Sequence, residues 1–188
     1  MNISTPEHSR AAYRADFVLY GIAVLLLAAF LLLAGPPEQR LAMLLWSIAG
    51  LLSWTVIEYG LHRLVLHGLQ PFRRWHDEHH RRPAALIRTP TILSGALIFL
   101  LVFLPALMMG NLWRACALTL GLLAGYLIYT VTHHAIHHWR SDNAWLKRRQ
   151  YWHGLHHDSD QAGRYGVTSV FWDEVFGSTG QPSKNKFF

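Results

Sequence analysis

Residues 112–138 read LWRACALTLGLLAGYLIYTVTHHAIHH, an apolar run that passes without a break into two pairs of histidines. A membrane-spanning α-helix needs about 20 mainly apolar residues, at a rise of about 1.5 Å each, to cross a hydrocarbon core of ~30 Å. Positions 112–132 satisfy this length. The stretch therefore predicts a membrane helix that continues into a cluster of imidazole side chains.

Three further apolar segments have a similar length, and 52% of the chain is hydrophobic. We expect membrane helices at about residues 17–34, 41–57, 92–109 and 112–132. Short turns containing Gly35-Pro36-Pro37 and Gly110-Asn111 join them in two hairpins. The predicted fold class is all-α: an integral membrane four-helix bundle with a histidine-rich helical cap, formed as one domain over residues 1–188.

The basic residues indicate how this bundle is oriented. All Lys and Arg except Arg40 and Arg114 fall in the N-terminal segment, in residues 60–90 or in residues 133–188. Because loops rich in Lys and Arg stay in the cytoplasm, we expect both termini and the cap, residues 60–90 and 133–188, to be cytoplasmic. The same distribution accounts for the net charge of +6 without nucleic acid as a partner.

Twelve of the 13 histidines lie in four clusters within or beside the predicted cap. The only cysteine, Cys116, lies in an apolar run, so a metal here must be bound through nitrogen or oxygen. Imidazole suits iron, zinc, copper and nickel. On a helix, positions i, i+3 and i+4 share a face, so two clusters of the form His-x-x-His-His can each direct three imidazoles to one side. About ten ligands exceed what one ion takes, which favours two metals.

The third cluster leaves two pairs open, because His133/His137 and His134/His138 have the same i, i+4 spacing. At about 100° per residue, His133 and His137 continue a polar stripe with Tyr126 and Thr130, beside a stripe of small residues that is typical of helix packing. The other pair continues an apolar side, which we expect to face lipid. The stripe favours His133 and His137 as ligands. The alternatives are that it only stabilises helix packing and that His138 is a ligand.

From Trp54 to Gly177 the sequence resembles the fatty acid hydroxylase and sterol desaturase superfamily of integral membrane di-iron oxygenases. The resemblance rests on the order and spacing of the four histidine clusters, on their positions after the second and fourth membrane helices, and on the stretch YGVTSVFWDEVFG at residues 165–177. With the third cluster assigned as above, it implies these metal ligands: His62, His67, His76, His79, His80, His133, His137, His153, His156 and His157.

The resemblance implies two iron ions, dioxygen as cosubstrate and hydroxylation of a lipid, which we expect to be a fatty acyl chain. A carotenoid or sterol hydroxylase or desaturase of the same superfamily is the alternative, and a non-enzymatic membrane metal-binding or transport protein is the alternative from another class. Electrons are expected from a separate protein, cytochrome b5-like or ferredoxin-like. Zinc can replace iron in purified or crystallised protein.

Two carboxylates lie close to the clusters in sequence. Glu58 is one helical turn before His62, and Asp158 directly follows His157. A carboxylate can orient a ligand imidazole by accepting a hydrogen bond from its second nitrogen. We therefore expect Glu58 and Asp158 to support ligands rather than bind metal, with a solvated surface role as the alternative for Asp158.

Overall fold

Helices provide the regular structure of the residues that the computed structural model describes, 7–158 and 163–180, and these ranges contain no β-strand. In chain order the helices are α1 (Arg10–Ala34), α2 (Arg40–Gly60), α3 (Phe72–Arg81), α4 (Thr91–Ile98), α5 (Leu104–Met108), α6 (Leu112–His138), α7 (Ala144–Asp158) and α8 (Phe171–Val175). A 3-10 turn precedes α2, a π-helical segment, Leu61–Leu66, follows it, and a second one, Phe99–Phe103, joins α4 to α5.

Four helical stretches are long and apolar enough to cross a membrane: Arg10–Ala34, Pro37–Leu66, Thr91–Met108 and Leu112–His138. The all-α prediction with four membrane helices is thereby confirmed. Two stretches extend past their apolar runs, because α1 begins within the polar N-terminal segment and α6 continues through the third histidine cluster. Side-chain caps define both starts: Ser9 accepts a hydrogen bond from the Ala12 amide, and Asn111 accepts one from the Arg114 amide.

Helix α6 lies at the centre of the bundle and packs closely against α2. A methyl group added at Gly121 would overlap the carbonyl oxygen of Ser47, and one at Gly125 would lie 2.5 Å from Cβ of Trp54. On α2, a Cβ at Gly50 would overlap the carbonyl oxygen of Leu118. Small residues therefore let the two backbones touch, as the small-residue stripe predicts. This contact fixes the ends of α2 and α6 next to each other.

One expectation about α6 is wrong. The side of α6 that carries His134 was expected to face lipid, yet Leu123 on this side is buried in the core and His134 lies against α1. The His134 ring is 5.5 Å from those of Tyr13 and Phe17, and its Nδ1 lies 3.2 Å from the Tyr13 hydroxyl. Helix α1 covers this apolar side because a central helix must bury more than one face.

We predict that Gly121→Ala lowers the thermal unfolding midpoint of the protein in detergent micelles. The new methyl group must push α2 away from α6, and such overpacking typically costs about 1–3 kcal/mol. Gly21→Ala is the matched control, since a Cβ at Gly21 meets nothing within 4 Å. There the better helix propensity of Ala should leave the midpoint unchanged or raise it. Equal midpoints for the two variants would show that the α2–α6 contact is not close.

Candidate metal centre

Ten histidines from four parts of the chain converge at one end of the bundle. They come from the π-helical end of α2, from α3, from the end of α6 and from α7. Their ligand atoms form two groups. The first comprises His62, His67, His76, His80 and His156; the second comprises His79, His133, His137 and His153, and in each group these atoms lie within 4.8 Å of one another. His157 adjoins the second group, with its Nε2 3.0 Å from Nε2 of His153.

The π-helical segment brings the first cluster onto one face. His62 and His67 are five residues apart, which in an α-helix would place them about 140° apart around the axis. The wider π turn closes with a hydrogen bond from the His67 amide to the His62 carbonyl, at 3.2 Å. Their rings then stack with centroids 5.2 Å apart. A single π turn in a long helix is often found at functional sites, and here it aligns two ligand candidates.

Each His-x-x-His-His cluster contributes to both groups, which differs from the expectation that its three imidazoles share one target. On α3, His76 and His80 belong to the first group and His79 to the second; on α7, His156 belongs to the first group. Adjacent residues on a helix diverge by about 100°, so His79 and His80 cannot face the same point. The motif therefore spans two neighbouring sites rather than filling one.

The spacing between nitrogens fits metal coordination. In the first group Nε2 of His76 lies 3.0 Å from Nε2 of His62 and 3.0 Å from that of His80. In the second, Nε2 of His137 lies 3.2 Å from that of His133 and 3.0 Å from that of His153. Imidazole nitrogens about 2.0–2.1 Å from one ion are about 3 Å apart when they subtend a right angle. The donor set therefore fits two transition-metal ions.

Hydrogen bonds outside the cluster fix the tautomers of two of these rings. Nδ1 of His62 donates to the carbonyl oxygen of Tyr165 at 2.5 Å, and Nδ1 of His156 donates to that of Gly163 at 2.7 Å. With the proton on Nδ1, each Nε2 presents a lone pair to the first group. Carbonyl acceptors of this kind orient metal-binding histidines and make them more basic.

Burial keeps those converging imidazoles that lie outside the membrane-spanning stretches neutral. It lowers the pKa of His67 to about 4, of His79 and His156 to about 3, and of His157 to about 2, with neighbouring histidines lowering several of them further. For His76 burial holds the pKa well below its usual range. A ligand must be deprotonated to bind metal, so these rings need lose no proton at neutral pH.

The loop that precedes α8 is held by two buried carboxylates. Asp173 accepts hydrogen bonds from the Tyr165 and Gly166 amides at 2.9 and 2.8 Å, and so places the Tyr165 carbonyl against His62. Glu58 accepts from the Val167 and Thr168 amides at 2.8 and 2.9 Å. The structure thus gives Glu58 a different partner from the one expected, because His62 is supported by a backbone carbonyl. The side chain of Asp158 lies outside the described residues.

The third cluster separates into its two pairs. His133 and His137 join the second group, whereas His134 stacks on His138 with centroids 4.5 Å apart, beside α1. The polar stripe of α6 is buried at Tyr126 and Thr130, on the side that carries the first pair. Helical phase therefore distinguishes two pairs that spacing alone leaves equivalent.

Comparison with known proteins assigns this arrangement to a family. The family model described as fatty acid hydroxylase matches residues 47–178, which include all ten converging histidines. The chain belongs to the fatty acid hydroxylase family. The resemblance seen in the sequence is thereby confirmed.

Within the fatty acid hydroxylase family, two relatives are each 34% identical to this chain. The ceramide very long chain fatty acid hydroxylase scs7 of Schizosaccharomyces pombe aligns with 71% of the chain and 42% of its own length. The dihydroceramide fatty acyl 2-hydroxylase FAH2 of Arabidopsis thaliana aligns with 69% and 58%. The chain thus spans about half the length of these relatives.

A solved structure of full-length scs7p, with only the hydroxylase domain visible, shares the fold. It superposes with a TM-score of 0.74 at 26% identity and covers 89% of this chain and 66% of its own. The solved hydroxylase domain therefore has the same overall fold as this chain.

A cavity of about 450 Å³ reaches both histidine groups of this hydroxylase-family chain. His62 and His76 of the first group and His79 and His133 of the second line it. The remaining wall is mainly apolar, and part of it faces outward on α4 and the π-helical segment after it, where Leu97 and Leu101 are 41% and 69% exposed. The cavity can therefore hold an apolar molecule with one end at the histidines.

Several functional features were missed in the sequence. The five-residue spacing of His62 and His67 was a usable signal for a π turn, since only such a turn places both on one face. The carbonyls of Gly163 and Tyr165 carry no side-chain signal at all. Their role depends on the path of a loop, which sequence periodicity does not describe.

We predict that Glu58→Ala accelerates hydrogen–deuterium exchange at the Val167 and Thr168 amides by at least tenfold. The substitution leaves the buried Val167 amide and the half-buried Thr168 amide without an acceptor, and an unsatisfied buried donor typically costs about 1–3 kcal/mol. Mass spectrometry of peptides covering residues 165–170 would measure the exchange. Glu78→Ala is the control, because Glu78 pairs with Arg81 and Arg82 on an exposed surface. Unchanged exchange in Glu58→Ala would contradict this account of the loop.

Proposed function

We propose that this chain is an integral membrane oxygenase that binds two iron ions and uses dioxygen to hydroxylate a lipid acyl chain at the carbon next to the carbonyl. The observation that carries the proposal is the convergence of ten imidazoles, in two adjacent groups, on one apolar cavity. A hydrolytic zinc enzyme would normally add a general base beside its metal-bound water, and a metal transporter would place its ligands near the bilayer midplane. Family membership and the names of the relatives support the same reaction.

Five nitrogen donors would hold each ion, with His157 completing the second group. Iron would supply the activation of dioxygen that insertion into an unactivated C–H bond requires, since acid–base side chains cannot perform this chemistry. The chain itself supplies neutral ligands, fixes the ring orientations through the Tyr165 and Gly163 carbonyls, and surrounds the site with buried side chains. Exclusion of water protects reactive species from side reactions.

The shape of the cavity supports an acyl chain as substrate. Apolar residues of α2 and of α4 with its π-helical extension, among them Trp54, Ile57, Ile98 and Val102, line the part away from the histidines. An alkyl chain placed along them would present its first carbons to both histidine groups. The relatives are named as ceramide or dihydroceramide acyl hydroxylases, which favours an acyl chain over a carotenoid or a sterol.

We also propose how the chain is arranged in the cell. It would act as one membrane domain with both termini and the histidine end in the cytoplasm, since nearly all Lys and Arg residues lie on that side. Electrons would come from a separate cytochrome b5-like or ferredoxin-like protein. In support of a separate donor, the metal-capable groups found among residues 7–158 and 163–180 are the two histidine groups, and the two proposed irons occupy both.

The ligand assignment predicts a difference within the third cluster. His133→Ala and His137→Ala should each lower the iron content measured by plasma mass spectrometry by about one ion per chain. Loss of an outer-shell partner already weakens metal binding about 10–100-fold, and loss of a ligand itself should weaken it further. His134→Ala is the matched control and should retain the metal content of the unmodified protein. Loss of metal in His134→Ala with full retention in His133→Ala would reverse the assignment.

The reaction predicts a defined product. Lipids from cells that produce the chain should contain acyl chains heavier by one oxygen atom, and fragmentation should locate the hydroxyl group at the carbon next to the carbonyl. Cells producing His76→Ala, which lacks a central ligand of the first group, provide the background. If oxygenated carotenoids or sterols were found while the acyl chains stayed unchanged, the substrate would belong to another class than the one proposed.

A further inference from the structure

Two charged side chains, Glu58 and Arg88, line the apolar cavity beside the histidine groups. Glu58 is already occupied by hydrogen bonds from Val167 and Thr168, which leaves Arg88. Arg88 lies in the segment that leads into α4, and only 11% of its side chain is exposed. Its guanidinium stacks over the rings of Phe17 and Tyr13, with its central carbon 4.7 and 5.1 Å from the two centroids. These rings belong to α1, so Arg88 connects the wall of the cavity to that helix.

The guanidinium of Arg88 has hydrogen-bonding capacity left over. It carries five N–H donors, yet both of its terminal nitrogens are buried and neither makes a hydrogen bond within the described residues. The nearest carboxylate oxygen, Oδ2 of Asp16, is 3.4 Å away, and the other oxygen of Asp16 accepts from the Thr91 hydroxyl. Buried donors without acceptors are costly, so a ligand that offers an acceptor here gains binding free energy.

Asp16 determines the charge that such a ligand meets. Its side chain is almost completely buried, so its carboxylate and the guanidinium of Arg88 form a close ion pair away from water. The pair has no net charge. It therefore suits a neutral acceptor such as an amide carbonyl, whereas a second carboxylate would be repelled by Asp16 and would lose its hydration.

The position of Arg88 in the cavity matches a head group. A reaction at the carbon next to a carbonyl requires the carbonyl to lie beside the oxidised carbon, at the histidine end of the cavity. Arg88 lines the same cavity as His79 and His133, while the outward-facing Leu97 and Leu101 line another part of its wall. A substrate can thus place its polar head at Arg88 and its alkyl chain along the apolar wall.

We propose that Arg88, held and neutralised by Asp16, binds the carbonyl oxygen of an amide-linked acyl lipid and discriminates against the free fatty acid. The inference rests on the proposed function and adds the residues that recognise the head group. Arg88 is the group that contacts the ligand, and Asp16 is a positioning residue that acts through it.

A measurement of equilibrium lipid binding tests the role of Arg88 independently of whether the reaction takes place. The full chain, purified with its metals and kept free of oxygen, is mixed in neutral detergent micelles with tritiated N-hexadecanoyl sphinganine or with tritiated hexadecanoic acid. We expect the unmodified protein to prefer the amide. Arg88→Gln should weaken amide binding about tenfold, which is the usual effect of losing one charge-assisted hydrogen bond.

Asp16→Asn gives the sharper result, because the asparagine can still accept from Thr91 while Arg88 becomes an uncompensated cation. The ratio of hexadecanoic acid affinity to amide affinity should rise about tenfold. Arg114→Gln, at the opposite end of α6, and Asp142→Asn, exposed beside Lys147, are the charge-matched controls and should bind both lipids as the unmodified protein does. Metal content of every variant shows whether the bundle has folded.

The head-group assignment would be overturned if the unmodified protein preferred the free acid or bound neither lipid. It would also be overturned if Arg88→Gln bound the amide normally with normal metal content, or if Asp16→Asn left the ratio of acid affinity to amide affinity unchanged. Binding that depends on Arg88, in a protein that yields no hydroxylated lipid, would overturn only the proposed reaction. If Arg88→Gln fails to retain metal, the head-group assignment is decided by the ratio of acid affinity to amide affinity in Asp16→Asn.

Discussion

The convergence of neutral imidazole lone pairs within about 3 Å of one another is the constraint on which this structure depends. Nε2 of His76 faces Nε2 of both His62 and His80, and a single N–H cannot serve two such partners. Lone pairs directed at one point repel unless a cation lies between them, and metal binding therefore contributes to folding. The surrounding helices must hold this end of the chain in place until a metal is bound.

The rest of the fold supplies that rigidity. Close contact through Gly50 and Gly121 brings the ends of α2 and α6 together, and the buried Glu58 and Asp173 hold the loop before α8 against them. The π turn after α2 then directs two rings into the first group. Each device uses backbone geometry or a buried carboxylate, so the imidazoles can remain neutral with their Nε2 lone pairs directed at the two sites.

Periodicity predicted the helices, the histidine end and the pair of α6 that points inward, because spacing along a helix determines which side chains share a face. It did not predict that His79 and His80 serve different groups, nor that the apolar side of α6 near Leu123 is covered by α1. The 100° step between adjacent residues separates the two rings, but the group that each ring joins depends on how α3 is rotated against the neighbouring helices. The covering of Leu123 by α1 depends on which neighbour packs where, and the partner of Glu58 depends on the path of a loop.

The central claim is that each chain binds two irons at the same time, both through nitrogen ligands. It is tested most directly by Mössbauer spectroscopy, on protein purified from cells grown on the iron-57 isotope. We expect about two irons per chain and two high-spin ferrous doublets of nearly equal area in the reduced state, because the two groups offer separate sets of imidazoles. One iron per chain, or the spectrum of a haem or an iron–sulfur cluster, would contradict the account.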